Sequence, residues 1–218
     1  MPPLLQMEID KLKKHILSLG AMVEENVNMA VKAVETKDKD LAERIIVSDK
    51  KVDEYEVEIE EECLKVLALH QPVAVDLRFI TAIIKINNDL ERIGDEAVNI
   101  AERVIYIASR DPLIVDFDYK EMTEKTRFML KSSLDALVNL DVDLAYKVIF
   151  KDDEVDSINR EIFEKVTRAI GENPEHAGHL INLFSISRHL ERIADHATNI
   201  AEDVIYLVEG VIKRHKRD

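Results

Sequence analysis

The chain has 218 residues, 46% apolar and 34% charged, with only 5 glycines and 5 prolines. Such a composition excludes disorder and favours long amphipathic helices over sheet. Its 44 acidic against 30 basic residues give a formal charge of −14, which repels phosphodiester backbones and anionic lipid and argues against nucleic acid as a partner.

From the N-terminus, Met1 to Glu8 lacks the apolar stretch of a signal peptide. Leu5, Ile9, Leu12, Ile16, Leu19, Val23, Val27, Ala30 and Val34 then step by three or four and predict a first amphipathic helix. Thr36-Lys37-Asp38 breaks it, with Asp38 placed to cap the next. Leu41, Ile45, Val52, Tyr55, Ile59, Cys63 and Val66 form the stripe of a second helix, which stops at His70-Gln71-Pro72. Cys63 is the sole cysteine and lies on this stripe, so it is expected buried and inert, with no intrachain disulfide. A third helical pattern runs from Phe79 to Ala108, and a joint falls near Arg110-Asp111-Pro112.

The second half follows the same plan. Tyr119, Met122, Leu130, Leu137 and Leu140 give a weaker counterpart of the first helix. A break at Asn139 to Asp141 offers Asp141 as the next cap, and Gly171-Glu172-Asn173-Pro174 marks the stop after it. The closing basic run, Lys213, Arg214, Lys216 and Arg217, suits the C-terminal end of a last helix, where cations complement the dipole. The longest apolar runs, Val104 to Ala108 and Val204 to Val208, are only 5 residues, far too short to span a bilayer. A cytoplasmic location without membrane insertion is expected.

An internal repeat dominates the chain. Residues 89–107 align on residues 189–207 without a gap, and 13 of the 19 positions are identical. Upstream, at an offset of 103, Leu41, Ile45, Val52, Tyr55, Ile59, Cys63 and Val66 match Leu144, Val148, Val155, Ile158, Ile162, Val166 and Ala169. The expected fold is all-α: two homologous, spectrin-like antiparallel three-helix bundles in tandem, residues 1–110 and 111–218.

The third-helix blocks share polar residues as well as core. Glu91, Arg92, Asp95, Asn99 and Glu102 recur as Glu191, Arg192, Asp195, Asn199 and Glu202. Leu90, Ile93, Ala97, Ile100, Ala101 and Val104 cluster within roughly 100° of arc, while Glu91, Asp95, Asn99 and Glu102 occupy about 80° on the other side. Asp89 and His189 fall outside that acidic arc. Carboxylates at i and i+4 repel, and a cation would turn the repulsion into attraction. Oxygen donors of this kind suit Mg, Ca, Mn or Fe. Two other readings stand beside that one: a solvated face, or neutralisation by Arg92 and Arg192. A single stripe has too few ligands for a closed site, so the two stripes would have to meet or water complete the shell.

His176 and His179, with Glu172 and Glu175 nearby, form a second and weaker cluster, more in keeping with a cap than a metal site. No Gly-rich phosphate loop, Gly-x-Ser-x-Gly, His-Glu-x-x-His or Cys-x-x-Cys occurs. The chain reads as a non-enzyme.

Gln71 to Arg78, Lys85-Ile86 followed by Asp89 to Asp95, and Leu190 to Glu202 together resemble the signature segments of the PhoU family, as does the ending Val204 to Gly210 with His215 after it. The resemblance covers essentially the whole chain. It implies a cytoplasmic negative regulator of the phosphate-starvation response and of phosphate uptake. That regulator would be a homodimer or larger oligomer, acting between the ATPase subunit of a phosphate ABC transporter and a sensor histidine kinase. It also implies surface metal, with Fe, Mn, Mg, Ca and Zn all open, held by Glu91, Asp95, Glu191 and Asp195, and less directly by Asn99, Glu102, Asn199 and Glu202. Asp89 against His189, and Gly94 against Ala194, depart from identical motifs in the two halves. The alternative is a purely structural three-helix scaffold, which would keep its core and let its exposed acids drift.

Overall fold

A computed structural model describes residues 3–110 and 117–211. Six long helices follow in order: α1 (Pro3–Thr36), α2 (Lys39–His70), α3 (Val75–Ala108), α4 (Lys120–Asn139), α5 (Val142–Glu172) and α6 (Ala177–Glu209). A single 3₁₀ turn, Pro174–His176, precedes α6. No strand occurs among the described residues. Helices α1 to α3 pack on one another as one three-helix bundle and α4 to α6 as another. The Asp111-Pro112 joint and the basic run from Lys213 to Arg217 lie outside the described residues; α6 itself ends on Gly210, at φ 72°.

The periodicity explains the packing. All nine residues of the first stripe, from Leu5 to Val34, are buried. So are Leu90, Ile93, Ala97, Ile100, Ala101 and Val104 on α3 and their counterparts on α6. Burying an aliphatic side chain of this size contributes about 1.5–3 kcal/mol, which is why a regular stripe suffices to select this bundle. Cys63 is wholly buried, and burial, reinforced by Glu62 and Glu60, pushes its thiol up to about 12. It is inert, as expected.

The first interhelical turn is the same device in both bundles. Lys37 and Leu140, equivalent at the offset of 103, both adopt the left-handed conformation at φ 53° and reverse the chain. The next residue caps: Asp38 accepts from the Leu41 amide at 3.0 Å and Asp141 from the Leu144 amide at 2.9 Å. Leu140 is therefore a turn residue, half exposed, and ends the first-helix counterpart outside its core stripe. Helix α4 has 20 residues against 34 in α1, with Tyr119 as its N-cap and residues 117–119 not helical.

The two bundles join along α3 and α6. Contacts run in opposite directions along the pair, so the helices are antiparallel. Lys85 Nζ meets Asp203 Oδ1 at 3.2 Å, His196 Nδ1 meets Asp89 Oδ1 at 2.8 Å, His189 Nδ1 meets Glu96 Oε2 at 2.6 Å, and Arg103 donates to Asn182 at 3.1 Å. Asn199 also donates to Asp89 at 3.1 Å, and Arg192 pairs with Glu96 at 3.0 Å. Asp89, Glu96 and His196 are buried here. Positions 89 and 96 of the first repeat carry acids where the second carries His189 and His196, so the antiparallel pairing matches each acid to a histidine.

Such pairs cost desolvation to form and more to break. Replacing His196 by Ala leaves Asp89 buried without its closest partner and should lower unfolding stability by about 3 kcal/mol in urea denaturation. Changing both partners to Leu should cost much less, and equal losses in the two variants would show that the pair carries no coupling.

Candidate functional site

On the flank of α3 away from α6 lies α2. The two helices approach closely at Gly94, where a Cβ would stand 3.0 Å from Asp49 Oδ1 and 3.3 Å from Val52 Cγ1; the second bundle accommodates Ala194 at this position. This close approach brings Asp49 and Asp53 of α2 against Glu91 and Asp95 of α3. The second bundle repeats the arrangement with Asp152 and Asp156 of α5 against Glu191 and Asp195 of α6. Asp49 and Asp53 correspond to Asp152 and Asp156 at the offset of 103. Each bundle therefore holds two Asp/Glu-x-x-x-Asp pairs on neighbouring helices.

The acids are near enough to raise one another's pKa. Asp49 is pushed up to about 6 by burial, then by Asp53 and Asp95. Burial, then Asp195 and Asp156, likewise pushes Asp152 up to about 6. Asp195, exposed as Asp95 is, also rises to about 6, through partial burial and then Glu191 and Asp156. Glu91 is raised by burial, followed by Asp95, Glu56 and Asp53. Asp95 is raised by burial and then Asp53, and Glu191 by burial and then Asp156. Asp49 buries an oxygen, Oδ1, that accepts no hydrogen bond among the described residues, whereas the Thr198 hydroxyl stands beside Asp152 and tempers its rise. A buried carboxylate oxygen normally has a donor.

The acids are only partly offset. Arg92 and Arg192 act against the rise at Asp95, but less than the burial and Asp53 that drive it. Arg192 is engaged by Glu96 across the seam. For Glu96 burial alone would raise the pKa, yet the hydrogen bond and charge of His189, with Arg192, hold it below the usual carboxylate range.

Four of the sequence-derived candidates, Glu91, Asp95, Glu191 and Asp195, thus sit in these clusters. The weaker four turn elsewhere. Asn99 donates to Glu96 at 3.5 Å, Glu102 pairs with Arg103 at 3.0 Å, Asn199 serves Asp89 in the seam, and Glu202 is half-buried farther along α6. Asp49, Asp53, Asp152 and Asp156 were not predicted. Their signal was present: they have the same i, i+4 spacing as Glu91 and Asp95, and they recur in the repeat. What meets each stripe is the second helix of its own bundle. His176 lies 3.8 Å from Glu175, while His179 packs edge-on to Tyr106 at 6.4 Å. Burial, then Arg110, keeps the His179 pKa low.

Carboxylate oxygens suit a hard or intermediate cation, but an ion here would have to draw these acids closer, since among the described residues only His15, Glu58 and Glu62 bring three ligand atoms within 4.8 Å of one another. An ion bound there would relieve the mutual repulsion and supply a partner for the Asp49 oxygen. These clusters lack the nucleophile and base pairing that a hydrolytic site requires.

Comparison with known proteins agrees with the duplication. A family model described as the PhoU domain matches residues 16–104 and again 119–204. A relative from Aquifex aeolicus, named phosphate-specific transport system accessory protein PhoU homolog, is 40% identical over 209 residues, covering 96% of this chain and 95% of the relative. The phosphate-specific transport system accessory protein PhoU of Escherichia coli is 32% identical over 210 residues, covering 95% and 86%. Among solved structures, PhoU from Pseudomonas aeruginosa superposes with a TM-score of 0.91 at 37% identity, covering 94% of this chain and 99% of that one. The phosphate transport system regulatory protein PhoU from Streptococcus pneumoniae gives 0.86 at 30% identity, covering 95% and 98%.

Carboxylates whose pKa is raised on folding favour the native state below their unfolded pKa, and that stability is lost as pH rises through the folded value. With Asp49, Asp152 and Asp195 raised from 3.8 to about 6, metal-free protein should gain stability as pH falls from about 7 towards 5. The lowered Glu96 opposes this only at lower pH, while the lowered His179, which loses stability as pH falls below its usual value, offsets part of the gain within the interval. Thermal melts in chelator should show the midpoint rising over that interval, and Asp49→Asn with Asp152→Asn should flatten the rise. A flat wild-type profile would contradict the crowding of these acids.

Proposed function

Because the chain belongs to the PhoU family, matched twice by the domain model and nearly end to end by its relatives, we propose that it is a negative regulator of phosphate uptake and of the phosphate-starvation response. It acts in the cytoplasm as a homodimeric adaptor between the ATPase subunit of a phosphate ABC transporter and a sensor histidine kinase. Among the described residues no helix is long and apolar enough to cross a membrane. The net charge of −14 suits docking on basic protein surfaces rather than on nucleic acid.

The observation that carries the reading is the pair of duplicated carboxylate clusters. A helical scaffold with no further role has no reason to crowd acids until three of them rise to about 6, nor to do so twice. In our reading Asp49, Asp53, Glu91 and Asp95 hold metal in one bundle, and Asp152, Asp156, Glu191 and Asp195 hold it in the other. Iron, manganese, magnesium, calcium and zinc are the candidate ions. Bound metal replaces the repulsion between α2 and α3, and between α5 and α6, by a shared attraction. It thereby fixes the surface offered to partners. The protein performs no catalysis; it binds and positions.

A phosphate-starvation reporter in phosphate-rich medium tests this, in the native host with its own copy deleted. The wild-type chain should restore repression, and a variant with all eight carboxylates changed to Asn or Gln should leave the reporter derepressed at equal protein level. Repression by both would remove the clusters from the mechanism. If the wild-type chain does not repress, the regulator itself is refuted.

A further inference from the structure

The geometry points to a second kind of divalent-cation site, formed by His15, Glu58 and Glu62, which the first bundle has and the second lacks. One ligand atom from each of the three lies within 4.8 Å of the other two. Glu58 and Glu62 stand one turn apart on α2, and His15 reaches them from α1. At ~100° per residue they lie on the opposite side of α2 from Asp49, Asp53 and Glu56. The site is thus separate from the carboxylate clusters and does not rest on their role.

The ligand atoms are held in a form suited to metal. His15 Nδ1 and Glu62 Oε2 are 3.1 Å apart, in side chains only 18% exposed. Both are buried atoms, yet the contact lacks the geometry of a hydrogen bond, and neither atom has another among the described residues. Two ligands at about 2.1 Å from one zinc-like ion are separated by about 2.9–3.4 Å, the span between octahedral and tetrahedral shells. The other oxygen of Glu62, Oε1, accepts from Lys11. That bond turns Oε2 towards His15, as an outer-shell partner orients a ligating carboxylate. The Tyr55 ring packs 5.4 Å from the imidazole and fixes its tilt. Glu58 is exposed, so the remaining coordination positions open to water.

One imidazole nitrogen with two carboxylate oxygens suits a borderline ion, zinc before manganese or ferrous iron, whereas the all-oxygen clusters suit harder ions. The second bundle cannot copy the set: at the offset of 103, Glu58 becomes Glu161, but Glu62 becomes Lys165 and Tyr55 becomes Ile158. A lysine in place of Glu62 replaces a ligand by a repelling charge.

The test is zinc alone, titrated into chelator-treated full-length protein. In ¹⁵N-labelled wild type, zinc should shift the His15 ring nitrogens selectively among the 7 histidines. By calorimetry, His15→Ala and Glu62→Gln should each lose one zinc equivalent that Asp53→Asn with Asp156→Asn retains. Because Glu58 is exposed, Glu58→Gln serves as a fold-neutral control and should weaken that zinc by roughly tenfold or more. His15 resonances unmoved by zinc would overturn the site, leaving only a Lys11–Glu62–His15 charge cluster. So would a zinc count that falls only when Asp53 and Asp156 are changed.

Discussion

Each third helix is surrounded on three sides, and the rest of the molecule is arranged by that constraint. Helix α3 packs against α1, α2 and α6, and α6 against α3, α4 and α5. A helix so enclosed keeps only a narrow exposed strip, which holds Arg92, Asp95 and Glu102 on α3. Its polar residues must find partners or be crowded together. Those facing the other bundle find partners: Asp89 with His196 and Asn199, Glu96 with His189 and Arg192. Those facing the second helix of their own bundle are gathered into clusters of like charge instead.

The two outcomes differ in energy and in consequence. A paired buried charge does little for net stability beyond what apolar packing would give, but it fixes which surfaces can meet. The seam uses this: where the repeat departs from itself, at 89 against 189 and at 96 against 196, the departure makes the first bundle complementary to the second. The clusters run the other way. Burial and neighbouring acids raise Asp49, Asp152 and Asp195 to about 6, so folding there works against charge. Repulsion kept in two bundles at once is understandable if a cation relieves it, and this links the fold to the regulatory reading.

The bundles were legible in the sequence because helix burial depends on local spacing. Leu5 to Val34 steps by three or four and every member of the stripe is buried. Asp38 and Asp141 cap as read, since an N-cap bonds to an amide three residues on. The seam was not legible. Asp89 and Glu96 are acids, a residue type that normally lies in water, and their histidine partners are 107 and 93 residues away. Half of each cluster was legible, because Glu91 and Asp95 recur beside an unmistakable core stripe. Asp49 and Asp53 were hidden in a helix rich in acids, where only their pairing across Gly94 distinguishes them from their neighbours.

The most direct measurement is anomalous diffraction from crystals of the full chain grown with manganese as the only divalent ion. The account predicts density among Asp49, Asp53, Glu91 and Asp95, and again among Asp152, Asp156, Glu191 and Asp195. Manganese absent from both clusters, with the acids accepting hydrogen bonds from water alone, would contradict it.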